Sequence, residues 1–208
     1  MNLCFSCVHL WQKICVQSAL ICGPYLPYNG KAMFTDVETY LRYYGGLHKR
    51  SLRDVDALPH EAADYRPEAG EGENAWSIGE IVRHMGGSRL YFARAYRGEG
   101  WIFDFPLRSC ESQADWLPVL EESFAEFRRR LEGTPADWLT RRVQMIDTEG
   151  TLPGWRILMM CLEHEVHHRS QIDTYAGLQG WDPPHIFGRS AEQVGLERDR
   201  QRELQADS

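Results

Sequence analysis

Long runs of positive charge are missing from this 208-residue chain, whose 30 acidic residues outnumber its 23 basic ones for a formal net charge of −7. That balance excludes a protein that grips nucleic acid through its phosphates. Uninterrupted apolar runs are missing as well. The longest uncharged stretch near the start, from Ile14 to Gly30, is broken by Gln17, Ser18, Gly23, Pro24 and Pro27, far short of the ~20 apolar residues a membrane helix needs. No membrane partner is expected. A secretory signal is lacking too, because the only early positive charge, Lys13, lies inside the apolar segment instead of ahead of it; the expected location is cytoplasmic. Cysteine is scarce where a disulfide framework would need it: Cys4, Cys7, Cys15 and Cys22 crowd the start, and only Cys110 and Cys161 lie in the rest.

With 43% hydrophobic and 25% charged residues, what remains reads as one soluble globular domain with an appendage. Cys4-x-x-Cys7 with His9 and Cys15 has the residue types of a small zinc site, but no second pair follows at matching spacing. Residues 1–32 are therefore expected to be a peripheral cysteine-rich N-terminal extension, and Met33 before Phe34-Thr35-Asp36-Val37-Glu38 reads as a natural start. The working domain is expected over 33–208.

Helical punctuation begins there. Thr35 with Glu38 suggests a capping box, and Val37, Tyr40, Leu41, Tyr44 and Leu47 recur at helical spacing ahead of Pro59, across a weak point at Gly45-Gly46. The polar stretch Pro67 to Glu73 reads as a loop. Ser77 and Glu80 then open a second helix to about Arg97, with Ile78, Ile81, Val82, Met85 and Phe92 as its apolar face. Ser112 caps a third, through Leu117, Leu120, Phe124, Phe127 and Leu131 to Gly133. Val143 to Ile146 could be extended, but no run supports a sheet. A fourth helix spans Pro153 to Gly180, stopped by Pro183-Pro184, and Ser190 opens a polar terminal helix expected to lie against the body or a partner. Four helices of this length imply an all-α helical bundle, whose interior is where such folds place metals and ligands.

The densest polar cluster is His164-Glu165-Val166-His167-His168 in the fourth helix. At about 100° per residue, His164 and His168 share a face with Ile157, Cys161, Ile172 and Tyr175. Two imidazoles one turn apart on a buried face can converge on one divalent ion, and His84 on the second helix, beside Ser88, is the best third ligand. Glu165 and Arg169 point elsewhere and read as a surface ion pair. His167 reads as exposed or adjacent to the ligands, and Cys161 as a small buried hydrophobe.

The segment Trp76-Ser77-Ile78-Gly79-Glu80-Ile81-Val82-Arg83-His84-Met85, followed by His164-Glu165-Val166-His167-His168-Arg169-Ser170-Gln171, resembles the DinB family of DinB/YfiT-like metalloenzymes. Phe187-Gly188-Arg189-Ser190 with Glu192 and Val194 also resembles the tail of many members, so the likeness covers about Phe34 to Leu196. Ser170 stands where the family motif usually has Gly. The resemblance implies an antiparallel four-helix bundle of DinB/YfiT type with a C-terminal extra helix, and a zinc or nickel centre on His84, His164 and His168. It further implies a thiol-dependent S-transferase acting on a small-molecule substrate. On that reading three neutral imidazoles leave the metal charged and open, so that a low-molecular-weight thiol loses its proton and attacks a halide or epoxide. Ser88, Gln171 and Tyr175 are the candidates to orient the substrate, and a homodimer is expected.

Two other readings compete. His164-Glu165-x-x-His168 taken as a hydrolase motif makes Glu165 a general base, with His185 as the downstream third ligand. A stress-response binding module would instead hold a structural metal, with Cys161 or Glu165 as a fourth ligand. His84 or His185 completing the site separates the first of these from the bundle centre.

Overall fold

The computed structural model describes residues 34–68, 70–103, 106–182, 185 and 189–206. The extension 1–32 with its cysteines, Met33, and Phe105, Pro183, Pro184, Phe187 and Gly188 lie outside the described residues.

Helix α1 spans Val37–Asp56. Its N-cap is Asp36, whose carboxylate accepts from the Thr39 amide at 2.6 Å, in place of the Thr35 and Glu38 box. Thr35 instead donates its hydroxyl to Asp36 at 2.9 Å. Gly45-Gly46 do not interrupt the helix. Tyr44 stacks on Phe124 with ring centroids 6.0 Å apart and His48 at 4.2 Å, and this aromatic burial outweighs the ~1 kcal/mol that each glycine costs in a helix. Helix α2, Ile78–Arg97, starts on the expected Ser77 and Glu80 capping box and ends at Gly98, whose φ of 79° suits glycine. Ser112 and Asp115 cap a short turn, Gln113–Asp115, that leads into α3, Trp116–Leu131.

A small sheet was not legible. Strands β1, Arg142–Gln144, and β2, Thr151–Pro153, pair antiparallel with Val143 opposite Leu152; strands this short are too brief for a period-2 pattern to register. Helix α4, Gly154–Gln179, follows at once. A side chain at position 154 would run into the Trp138 carbonyl and the Tyr96 ring, so only glycine lets α4 begin there. Helix α5, Ala191–Ala206, opens on reciprocal bonds between Ser190 and Gln193, and Val194, Leu196 and Leu204 on it stand exposed. Among the described residues no helix is long and apolar enough to cross a membrane.

Each of the helices α1 to α4 packs on two others, α2 on α3 and α4, and α1 on α3 and α4. The contacts also give directions. Trp76 just before α2 lies by His168 and Tyr96 near its end by Gly154, so α2 and α4 run antiparallel. Tyr40 bonds the Leu158 carbonyl while Asp54 meets Arg169, so α1 and α4 run parallel. Gly79 faces Trp116 and Arg97 bonds the Arg130 carbonyl, so α2 and α3 are parallel too, which the long connection from Gly98 to Asp115 permits.

Two apolar clusters fill the interior, one around Tyr40, Phe92, Phe127 and Ile157, the other around Val55, Met85, Trp116 and Ile172. Along every helix they are separated by a polar layer containing Ser51, Arg89, Ser123, His164, Glu165 and His168. Glu165 and Arg169 are therefore no surface pair. Arg89 and Glu165, each 1% exposed, form a bidentate contact of 2.6 and 3.1 Å across α2 and α4. Glu165 also accepts from Tyr44 at 2.9 Å and Ser51 at 2.8 Å, and Arg89 donates to the Leu120 carbonyl at 2.6 Å and Ser123 at 3.0 Å. Arg169 lies 2.6 Å from buried Asp54 on α1. The one-face reading of α4 failed because the helix is buried on two flanks.

Removing one partner of such a pair strands the other charge. Glu165→Gln or Arg89→Met should each cost about 3–5 kcal/mol in urea denaturation, while the double variant Glu165→Leu, Arg89→Met recovers most of it. Single-variant losses below about 1 kcal/mol would show that the pair does not hold the helices together.

Candidate metal centre

With α2 and α4 antiparallel and Arg89 opposite Glu165, His84, just over a turn before Arg89, falls opposite His164 and His168. The structure thus brings the three sequence-predicted ligands together. The His84 and His168 Nε2 atoms lie 2.9 and 3.1 Å from His164 Nε2, and the three nitrogens all lie within 4.8 Å of one another. Nitrogens sharing one tetrahedral zinc sit about 3.3 Å apart.

Burial keeps these imidazoles neutral. It pushes His84 down to about 3, with help from His168 and against Glu73. Burial and the neighbouring His168 and His84 hold His164 well below the ordinary value. His168 falls to about 4, again through burial, against the pull of Glu73 and Gln171. Neutral imidazole is the form that binds a metal.

Hydrogen bonding fixes which nitrogen of His168 faces inward. The Gln171 Nε2 donates to the Glu73 main-chain carbonyl at 2.8 Å and to the Tyr175 hydroxyl at 3.0 Å. Its Oε1 is left facing His168 Nδ1 at 3.1 Å, which must therefore carry the proton, leaving the Nε2 lone pair aimed into the cluster. Each neutral imidazole has one donor and one acceptor. With the His168 donor committed to Gln171, its Nε2 is an acceptor within the cluster, and the three converging nitrogens form a group that could hold a cation. Ser88 Oγ is 3.4 Å from His84 Nε2. Ser88, Gln171 and Tyr175 thus sit around the ligands, each bearing on one directly or through its neighbour.

Sequence reasoning missed Glu73. It lies in the turn Gly72–Ala75, whose entry uses a φ of 57° at Gly72, and its Oε1 is 3.0 Å from His167 Nε2 and 3.9 Å from His168 Nε2. Burial works to raise its pKa but is outweighed by the His167 hydrogen bond and the nearby imidazoles, so it is lowered. That same bond raises His167, which is exposed as expected. Trp76 flanks His84 at 4.8 Å between ring centroids and Phe103 at 5.9 Å. The Phe103 ring packs so close over α2 that a Cβ at Gly87 would lie 2.5 Å from it.

The competing ligands are accounted for. Among the described residues His84, and not His185, joins His164 and His168, and neither Cys161 nor Glu165 enters the group. Cys161 is buried against the Tyr44 hydroxyl at 3.6 Å, and burial pushes its thiol up to about 12. Glu165, committed to Arg89, is not a free base. Burial would raise its pKa, but Arg89, Ser51 and Tyr44 lower it.

A sequence profile of the DinB superfamily matches residues 30–172. An uncharacterized protein of Bacillus subtilis (strain 168), YjoA, is 26% identical over 128 residues, which cover 61% of this chain and 79% of that protein. The crystal structure of a DinB-like protein, YjoA, from Bacillus subtilis superposes with a TM-score of 0.55 at 15% identity, covering 73% of this chain and 99% of that one. A DinB-like protein from Bacillus cereus ATCC 10987 gives 0.55 at 17% identity, covering 74% and 99%. At such identities the likeness of the structures speaks for the fold alone.

The neutral histidines set an acid limit. In the unfolded chain they take protons near 6.5, whereas folded His48 and His84 resist until about 3 and His168 until about 4. The unfolded state therefore binds more protons on these histidines as pH falls below 6.5, and stability drops; among the histidines His167, whose pKa is raised by Glu73, works against this. Chelator-treated protein should hold a level urea midpoint from pH 8 to 7 and lose it progressively from about 6.5 to 5. A level midpoint throughout would contradict the neutral cluster.

Proposed function

The chain belongs to the DinB superfamily, and we infer from this membership and the three-histidine cluster that it is a metal-dependent enzyme transferring a low-molecular-weight thiol to a small electrophile. His84, His164 and His168 are its ligands for one divalent ion, zinc or nickel. The observation that carries the reading is the convergence of three neutral Nε2 atoms from α2 and α4, with the lone pair of one aimed by Gln171. In the same reading α1 to α4 form the four-helix bundle of DinB/YfiT type.

An ion held by imidazoles alone keeps its full charge and supplies Lewis-acid polarisation, lowering the pKa of a thiol or water that it holds. The chain's residues do the rest. Gln171 keeps His168 in the ligating tautomer, and Tyr175 and the Glu73 carbonyl keep Gln171 from turning over. Trp76 and Phe103 flank His84 with aromatic surface suited to an apolar electrophile. In the transfer the thiol S–H bond breaks and sulfur bonds to the electrophilic carbon; a halide departs and the thiol proton is released to water, or an epoxide C–O bond opens and its oxygen takes up that proton.

Metal content by mass spectrometry on untagged protein tests the site. One equivalent is expected in wild type and none in His84→Ala or His164→Ala. Metal surviving His84→Ala but not His164→Ala, or none in wild type after reconstitution, overturns the reading. Gln171→Ala should bind about 10–100-fold more weakly. Loss of free thiol in the presence of halide and epoxide electrophiles, dependent on the metal, tests the reaction.

A further inference from the structure

We propose that Phe103 is a specificity-determining residue of this site, its ring forming a wall for an aromatic group on the electrophile, so that benzylic halides and aryl epoxides are favoured over their alkyl counterparts. The proposal rests on the thiol-transfer reading and names its substrate class.

Phe103 is placed unlike the phenylalanines of the interior. Phe92 and Phe127 are fully buried, whereas Phe103 is 47% exposed. It nonetheless has a built seat. His84, Gly87 and Tyr91 lie along one side of α2 at helical spacing, and the Phe103 ring meets all three. Its centroid is 5.9 Å from that of His84, with the planes 22° apart, and 6.0 Å from that of Tyr91. Over Gly87 the atoms nearest to where a Cβ would stand are Cζ, at 2.5 Å, and the two Cε, so the ring approaches the helix tip first and turns one face along the His84 imidazole. The chain is pinned two residues earlier. Trp101 donates its Nε1 proton to the Gln144 carbonyl at 2.7 Å and packs its indole on Tyr91 and Phe92. Trp76 adds a second aromatic surface, 4.8 Å from His84 between centroids and within 23° of parallel to His168.

Seat and exposure together carry the inference. A ring that served only core packing would be covered, and a ring without a role would not need a glycine inside α2, where that residue weakens the helix. The uncovered part of Phe103 lies beside His84, next to whatever the centre holds. Aromatic surfaces attract other rings, offset or edge-on, beyond what buried area alone gives. A benzylic carbon also suits the transfer: the thiol S–H bond breaks, an S–C bond forms, the C–halide bond breaks, the halide departs and the proton goes to water.

Two unreactive probes, 2-phenylethanol and 2-cyclohexylethanol, test the wall on chelator-treated full-length protein, with dissociation constants read by saturation-transfer NMR. Apolar area alone favours the saturated ring, so a preference for phenyl reports the aromatic wall. Wild type should prefer 2-phenylethanol, and Phe103→Leu, which keeps an apolar side chain, should lose about 3–10-fold of that preference. Gly87→Ala should lose it too by pushing the ring off α2, and both variants should still take up one equivalent of cobalt(II). With zinc-loaded protein and 2-mercaptoethanol as the thiol, the ratio of kcat/KM for benzyl chloride over cyclohexylmethyl chloride should fall by a similar factor in Phe103→Leu. No preference in wild type, or the same preference in Phe103→Leu, overturns the proposal, as does loss of cobalt uptake in Phe103→Leu, which would make the ring a support of the histidines. Phenyl preference lost in Phe103→Leu without any thiol transfer by wild type would overturn the reaction and leave the aromatic wall standing.

Discussion

The Arg89 and Glu165 contact is the point at which α1, α2, α3 and α4 all meet, through Tyr44 and Ser51, Leu120 and Ser123. The apolar clusters on either side supply the larger share of the burial, but hydrophobic contact is non-directional and tolerates sliding. A bidentate guanidinium-carboxylate pair does not. With every polar atom of the pair engaged, the cost of desolvating two charges is offset. What the pair fixes is the axial register of α2 against α4.

That register matters because the candidate centre is assembled from the same two helices. One turn of slip, about 5.4 Å, would carry His84 past His164 and His168. The three histidines and the ion pair occupy one polar layer, on neighbouring faces of α4, so the same residues that make the layer costly to bury keep the histidines in place. Glu165 stands between His164 and His168 in sequence yet faces away from them, and its commitment to Arg89 separates this arrangement from a hydrolase helix on which the intervening glutamate works as a base.

Most of this was legible where periodicity is long. The helix boundaries at Ser77, Pro153 and Gly180 follow from capping and breaking residues, and the grouping of the three histidines from their spacing and the family motif. Other parts were hidden for physical reasons. Arg89 sits in line with Ile78, Val82 and Met85 on the apolar face of α2, and a charge there demands a buried partner; that signal was present and went unread. Glu73 offers no such sign, since its turn has no period and its partners, His167 and Gln171, are far along the chain. The three-residue strands are too short to show alternation. The parallel pairing of α2 with α3 depends on the path of a connection, which local sequence does not encode.

Gly154 gives the fold a reference point. The helix α4 is a stiff rod whose origin is set by backbone contact with Trp138 and with the ring of Tyr96, and His164 lies about 15 Å further along it at 1.5 Å per residue. Because a rod does not absorb axial displacement, any bulk placed at its origin is transmitted to its middle. The spacing tolerance of the histidine centre is thus borne by a residue that has no side chain and touches none of the ligands.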